Sequence, residues 1–369
     1  QALLADGANT IAVRVIDQGN LPNLAASATT ILTVNNLAPV ADAGGPYNID
    51  EGDDLVLDAS SSSDPGGDAL TYAWDLDDNG SFTDVTGETP TVPWVTARTF
   101  IDNGANTIRV RVTDQGNAVP LNNTAVATVN VGELPPNAED DTGTTDEDSV
   151  LSESAPGLLA NDSDPGLDTI TIDVGASDDT SAAGASVTLQ ADGQYAFDPR
   201  AVDAFNELAQ GDSTTDTFNY TITDGTATDS ATVTVTINGV NDAPLFDNSS
   251  GLVLDPIDED SLSNGGTTVA DLLTSGGLSD PVTDVDNGDP EGIAIVLADT
   301  GTGTWQYSID SGSNWTAFPA VAQDTALLLR SEDRVRFQPA PNFNGDVPMA
   351  LTFHAWDQSS GTAGGTADA

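Results

Sequence analysis

Carboxylates recur in this chain in a fixed order, each time beside a turn former. A Ser-Asp-Pro-x-x-Asp hexapeptide occurs as SDPGGD at 63–68, SDPGLD at 163–168 and SDPVTD at 279–284. Ahead of each stands an acidic pair with a glutamate: Asp50-Glu51, Asp146-Glu147 and Asp258-Glu259. Behind each comes an apolar alternating run ending in aspartate, at Asp114, Asp224 and Asp357. Loop carboxylates suit hard divalent cations, since calcium takes roughly six to eight oxygens from carboxylates and carbonyls. Asp-Pro and Asp-Gly also make good turns, which accounts for any one motif. It accounts less well for the same order repeated. The expected calcium ligands are therefore Glu51, Asp64, Asp68, Asp114, Glu147, Asp164, Asp168, Asp224, Glu259, Asp280, Asp284 and Asp357, with the linker pair Asn241-Asp242 completing the shell of the last set.

Two further loops carry the same chemistry. Residues 75–80 read D-L-D-D-N-G, which places Asp75, Asp77 and Asn79 at positions one, three and five of a calcium loop, with Gly80 at six. The glutamate expected at position twelve is missing: Thr86 stands there, with Asp84 and Glu88 nearby. The flanks read as strands, so this is not an EF-hand, and a plain Asx turn is the alternative. The run Asp284-Val285-Asp286-Asn287-Gly288-Asp289 adds Asp286 and Asp289 to the candidates. Catalysis has little to work with. The only histidine, His354, sits in an alternating apolar run, and no nucleophile elbow, phosphate loop or zinc pattern appears. Residues 308–315 fit the spacing S-x-D-x-G-x-x-W, a hairpin element that carries no activity by itself. The chain is not expected to be an enzyme.

The elements that must position these residues are strands. Short alternating runs recur between Gly, Asn, Asp, Pro and Ser turns, at 11–16, 29–34, 70–76, 107–113, 125–131, 218–223, 231–237, 293–297 and 304–309. Only 200–209 reads as a short helix. The tryptophans read as core filler. Residues 7–15, GANTIAVRV, return as GANTIRVRV at 104–112, an offset of 104 − 7 = 97 that holds out to the linkers Ala38-Pro39 and Pro135-Pro136. The expected organisation is the C-terminal part of one repeat over 1–37, whole repeats over 38–134 and 135–242, and a fourth over 243–369 whose last strand is truncated. The fold class is all-β: tandem Ig-like β-sandwiches in an extended rod.

Charge narrows the partners. Asp and Glu number 59 against 8 Lys and Arg, for a formal charge of −51. Such self-repulsion calls for disorder or for bound cations. Alternating runs such as Ile108-Arg109-Val110-Arg111-Val112 argue against disorder. Phosphate backbones and anionic lipid surfaces need Lys and Arg, so neither nucleic acid nor a membrane surface is a partner. There is no cysteine, which leaves cores and metals to stabilise the fold.

Residues 38–131 resemble a PKD domain, with Ala73-Trp74-Asp75-Leu76-Asp77-Asp78-Asn79-Gly80 in place of that family's Trp-Asp-Phe-Gly-Asp-Gly core, and 7–34 look like the end of another copy. Residues 137–244 resemble the bacterial cadherin-like or VCBS-type repeat through Asp146-Glu147-Asp148, Leu158-Leu159-Ala160-Asn161-Asp162 and Asn238-Gly239-Val240-Asn241-Asp242-Ala243-Pro244. Residues 245–369 resemble a second cadherin-like module through Gly303-Thr304-Trp305-Gln306-Tyr307-Ser308 and Ala355-Trp356-Asp357-Gln358. The resemblance implies a bacterial adhesin or fibre at the cell surface, with calcium as its cofactor at or near domain junctions. Its partners would be neighbouring repeats and a host-cell, matrix or glycan ligand. Two other functions remain open: a carbohydrate-binding accessory region of a secreted hydrolase, using exposed aromatics such as Trp94 and Trp315, and a filament subunit joined to other copies by strand addition.

Overall fold

The computed structural model describes residues 7–16, 25–115 and 119–369, apart from 250, 260, 262, 280, 287, 289 and 290. The expected all-β class is what the chain adopts: strands carry the architecture, and the helices are single short turns. Two compact units divide it, one of Gln1–Glu139, Leu158–Gly175 and Thr221–Ala231, the other of Asp140–Gly157, Ala176–Tyr220 and Thr232–Ala369.

The first unit holds a hairpin of Gly7–Ile16 with Ala25–Val34, paired in register from Gly7 with Val34 to Ile16 with Ala25. A sandwich follows. Its larger sheet runs in the order Tyr47–Asp50, Asn122–Gly132, Gly104–Asp114, Leu70–Asp75, Val85–Thr86, and Leu55–Val56 pairs with Thr91–Val92 to begin the opposing layer. The alternation of Gly104–Asp114 turns Ile108, Val110 and Val112 inward, where they pack with Leu55, Leu57, Trp74 and Val129, all at 0% exposure. Helix α1 (Trp94–Ala97) starts after Pro93, whose carbonyl accepts the amides of Thr96 and Ala97 at 2.8 and 2.9 Å. A proline serves at such a start because its missing N–H would have no helical partner there.

The repeat that follows carries a four-stranded sheet ordered Asp141–Asp146, Thr228–Asn238, Ser213–Thr223, Thr171–Ile172, and a three-stranded one ordered Leu151–Glu153, Tyr195–Asp198, Ser186–Leu189. The expected helix at 200–209 contracts to α2 (Asp203–Asn206). The last repeat packs a sheet of Thr267–Thr268, Arg334–Pro339, Gly303–Ser308 and Thr316–Ala317 beside one of Leu351–Trp356, Gly292–Ala298, Ala326–Arg330 and Thr366–Ala367. Its α3 (Val269–Thr274) was not foreseen, although the signal was present: Thr268 caps it by accepting the Asp271 amide at 3.0 Å. Among the described residues, no helix is long and apolar enough to cross a membrane.

Candidate metal centres

The alternation that buries the cores also aims the carboxylates. Asp114 is the next residue on the face of Ile108, Val110 and Val112, so the strand delivers it to the sandwich end at 0% exposure. Asp224 follows Ile222 in the same phase, and Asp357 follows Phe353 and Ala355. At the opposite ends, Glu51 continues the face of Tyr47 and Ile49, and Glu147 that of Gly143 and Thr145. Both glutamates sit at the same place in their repeats: the Glu51 amide donates to Gly132 O at 3.0 Å and the Glu147 amide to Asn238 O at 3.1 Å. Their exposures are 4% and 1%.

Glu51 meets Asp164 and Asp168, with carboxylate oxygens within 4.8 Å of one another. That spacing suits one cation with oxygens at about 2.4 Å on either side. Asp164 Oδ1 accepts the Asp168 amide at 2.9 Å, and Glu51 Oε2 accepts the Leu134 amide at 3.2 Å. Glu133 reaches the Asp224 carboxylate and is itself held by the Asn103 side-chain amide. The second group lies in the other unit, where Glu147, Asp242 and Asp286 converge within the same 4.8 Å. Glu147 Oε1 accepts the Val240 amide at 2.8 Å, Asp286 Oδ2 accepts the Asp242 amide at 2.8 Å, and Asn241 Nδ2 donates to Asp357 Oδ2 at 2.9 Å. Ahead of both, two separate arrangements use the same residue types. Asn36 Nδ2 donates to both oxygens of Asp114 at 3.1 Å, and Asp64 Oδ1 accepts the amides of Gly66 and Asp68 at 2.7 and 3.1 Å.

Both groups, and the side chains of Asn36 and Asp64, leave buried acceptor oxygens with no hydrogen-bond donor: Asn36 Oδ1 and Asp64 Oδ2; Glu133 Oε1, Asp164 Oδ2 and Asp224 Oδ2; Asn241 Oδ1 and Glu147 Oε2. The amide donors of Asn36 and Asn241 are committed elsewhere, which fixes the direction of those carbonyl oxygens. Buried acceptors without donors are costly. Burial pushes the carboxyls of Glu51 and Glu147 above the usual glutamate range, with the nearby charges of Glu133 and Asp168, and of Asp242 and Asp286, adding to it. Burial likewise raises Asp242, beside Asp148 and Asp284. The donors are all oxygen, which fits a hard divalent cation.

In the structure Glu51 joins the hexapeptide of the following repeat, and Glu147 joins Asp242 of the linker pair and Asp286 beyond it. The third copy also changes register. Val40 bridges Ser63 and Asn137 bridges Ser163, whereas Leu245 pairs with Thr283, so Asp284 rather than Asp280 follows the bridge. Asp280 and Asp289 lie outside the described residues. Glu259 is exposed and joins none of the groups. Asn36 and Glu133 were missed, though their signal is regular: with Asn241 they stand three residues before the linker prolines Pro39, Pro136 and Pro244.

The Asp75 loop is arranged differently. Asp75, Asp77 and Asp84 lie within 4.8 Å and could hold an ion, but both Asp75 oxygens are already used, Oδ1 accepting Asn79 N at 3.1 Å and Oδ2 accepting Gly80 N at 2.9 Å. Asn79 N also lies 3.2 Å from Asp77 Oδ1, and Asp84 Oδ2 accepts Leu76 N at 2.8 Å. Of the aromatics considered for sugar stacking, Trp94 is 6% exposed, and Trp315 is half-buried with the Arg336 guanidinium 4.0 Å from its ring centroid.

Residues 36–131 match the family model of the PKD domain, and residues 133–239 that of the bacterial cadherin-like domain. The chain therefore carries a PKD-like stretch followed by a bacterial cadherin-like one, consistent with a protein of such repeats. A search of curated protein sequences gives no match. Among solved structures it is similar to the EC1-4 segment of Drosophila N-cadherin, at 13% identity over 91% of this chain and 83% of that one, with a TM-score of 0.32. It is also similar to an endo-fucoidan hydrolase of glycoside hydrolase family 107, at 13% identity, 63% and 34% coverage and a TM-score of 0.26. A nucleoside hydrolase-related protein from Saccharophagus degradans matches at 23% identity, 26% coverage of each chain and a TM-score of 0.19. The chain thus spans about a third of the fucoidan hydrolase and a quarter of the Saccharophagus protein. At these scores the likenesses carry no argument about what this chain does.

Proposed function

We propose that this chain is a non-enzymatic segment of an extracellular adhesive or structural stalk, whose repeats are fixed to one another by calcium. The repeats are taken as 38–134, 135–242 and 243–369, with 1–37 similar to the C-terminal part of a PKD-like repeat. The ligands would be Asn36, Asp64, Asp68 and Asp114 at the first joint. Glu51, Glu133, Asp164, Asp168 and Asp224 serve the second, and Glu147, Asn241, Asp242, Asp286 and Asp357 the third, with Asp284 beside them. The observation that carries the reading is the recurrence of buried, donor-less oxygens in both carboxylate groups and at Asn36 and Asp64. A cation supplies the positive partner those oxygens lack and offsets part of the −51 charge.

Extracellular modules bind calcium with affinities on the order of 10⁻⁴–10⁻³ M, so joints of this kind fill outside a cell and empty inside one. Isothermal titration of the whole chain with calcium tests the reading. Saturable binding in that range, reduced when Glu147→Gln or Asp164→Asn is introduced, supports it. No binding up to about 10 mM would remove the calcium part.

A further inference from the structure

The second joint carries contacts that need no cation. Helix α1 presents Trp94 and Arg98 to the 163–168 turn. Trp94 Nε1 donates to Gly166 O at 2.9 Å, while Arg98 donates through Nη1 to Leu167 O at 2.5 Å and through Nη2 to Asp168 Oδ1 at 2.9 Å. The Trp94 amide donates to Asp54 Oδ1 at 3.0 Å, which fixes the helix to its own sandwich. Gly166 is buried beneath this clasp.

The chain contains the same turn a second time. In 63–68 the Gly67 amide donates to Asp64 O at 3.1 Å and the Asp68 amide to Asp64 Oδ1 at 3.1 Å; in 163–168 the matching bonds are Leu167 to Asp164 O at 3.1 Å and Asp168 to Asp164 Oδ1 at 2.9 Å. Gly67 and Leu167 share the left-handed conformation, with φ of 79° and 63°. Yet Gly66 is exposed where Gly166 is covered.

We infer that the exposed turn at 63–68 is a docking surface for a PKD-type domain presenting a tryptophan and an arginine as Trp94 and Arg98 do. The clasp takes backbone carbonyls and one aspartate, all of which SDPGGD also has, so the turn's backbone rather than its fifth side chain is recognised. The contact shares an aspartate with the calcium reading, Asp168 at the clasp and Asp68 at the exposed turn, but itself requires no ion.

Hydrogen exchange of the whole chain in chelator tests this. Leu167→Gly gives 163–168 the sequence of 63–68, and protection of 161–170 persists, whereas Trp94→Ala removes it. A chain extended by placing a copy of residues 38–103 ahead of Gly7 builds a whole repeat there by the repeat offset of 97. Exchange over 61–70 then slows at least tenfold, and alanine at the added copy's equivalent of Trp94 reverses it. Unchanged exchange over 61–70 in the extended chain, or loss of protection in Leu167→Gly, overturns the inference. Because chelator is present throughout, failure here leaves the calcium reading untouched.

Discussion

The Glu51 carboxylate fills the space that any side chain at position 166 would need: a Cβ on Gly166 would lie 2.7 Å from both Cδ and Oε2 of Glu51. Gly166→Ala therefore displaces Glu51 from Asp164 and Asp168. Overpacking of this kind costs about 1–3 kcal/mol. The expected outcome is a lower melting temperature together with weaker calcium binding at the second joint. Gly66→Ala is the milder comparison, since its nearest neighbour is Asp64 Oδ1 at 3.0 Å. Calorimetry on the two variants checks the order, and equal effects would contradict it.

The residue three places before the linker proline is expected to act through its side-chain oxygen. Glu133→Asn restores what Asn36 and Asn241 supply at their joints, so calcium binding survives. Glu133→Ala removes the oxygen, and the affinity of that joint falls about tenfold, the effect of losing roughly 1.4 kcal/mol. Titration of both variants distinguishes this from a requirement for charge, under which Asn would fail as badly as Ala.

Acid should stabilise the calcium-free protein before it harms it. Glu51, Glu147 and Asp242 hold their protons more tightly when folded than when unfolded. Groups raised in this way oppose folding at neutral pH, and the penalty fades as pH falls toward the ordinary carboxylate range of about 4–4.5. In chelator the melting temperature is expected to rise between about pH 7 and 5. In calcium the same protons compete with the ion, so the calcium-induced gain shrinks over that window. Opposite contributions come later: Asp310, held down to about 2 by Asn314 and Ser308, is lost only below the usual aspartate range. A melting temperature in chelator that falls between about pH 7 and 5 would contradict the assignment of those three groups.

Asp75 is expected to be a turn former. Its oxygens are taken by Asn79 N and Gly80 N, and it is 0% exposed. Asp75→Asn turns an amide donor toward one of those N–H groups and costs about 1–3 kcal/mol. Thermal unfolding should show the same loss with and without calcium. A loss confined to calcium-containing buffer would assign Asp75 to a metal shell instead.

Much of the fold was legible because its pattern is local. Period-two alternation marked strands such as Gly104–Asp114, and the phase that buries Ile108 and Val112 also predicts an inward Asp114. The candidate sites were half legible. Carboxylate types and order were visible, but the meeting of Glu51 with Asp164 joins residues from successive repeats, which no spacing within one repeat reveals. The third hexapeptide misled because Val282 and Thr283 enter a strand there, so a matching string does not occupy a matching place. The Trp94 clasp was hidden for a similar reason: a tryptophan inside a sandwich and one on a neighbouring turn look alike in sequence.

Thermal unfolding of the whole chain, in chelator and then in calcium about ten-fold above its dissociation constant, tests the central claim most directly. Each filled site contributes about 1.4 kcal/mol under that condition. The account predicts a rise in melting temperature of several degrees that Glu147→Gln and Asp164→Asn each reduce. An unchanged melting temperature, with the protein folded in chelator, would contradict it and leave these aspartates and glutamates as turn formers and solubilising charge.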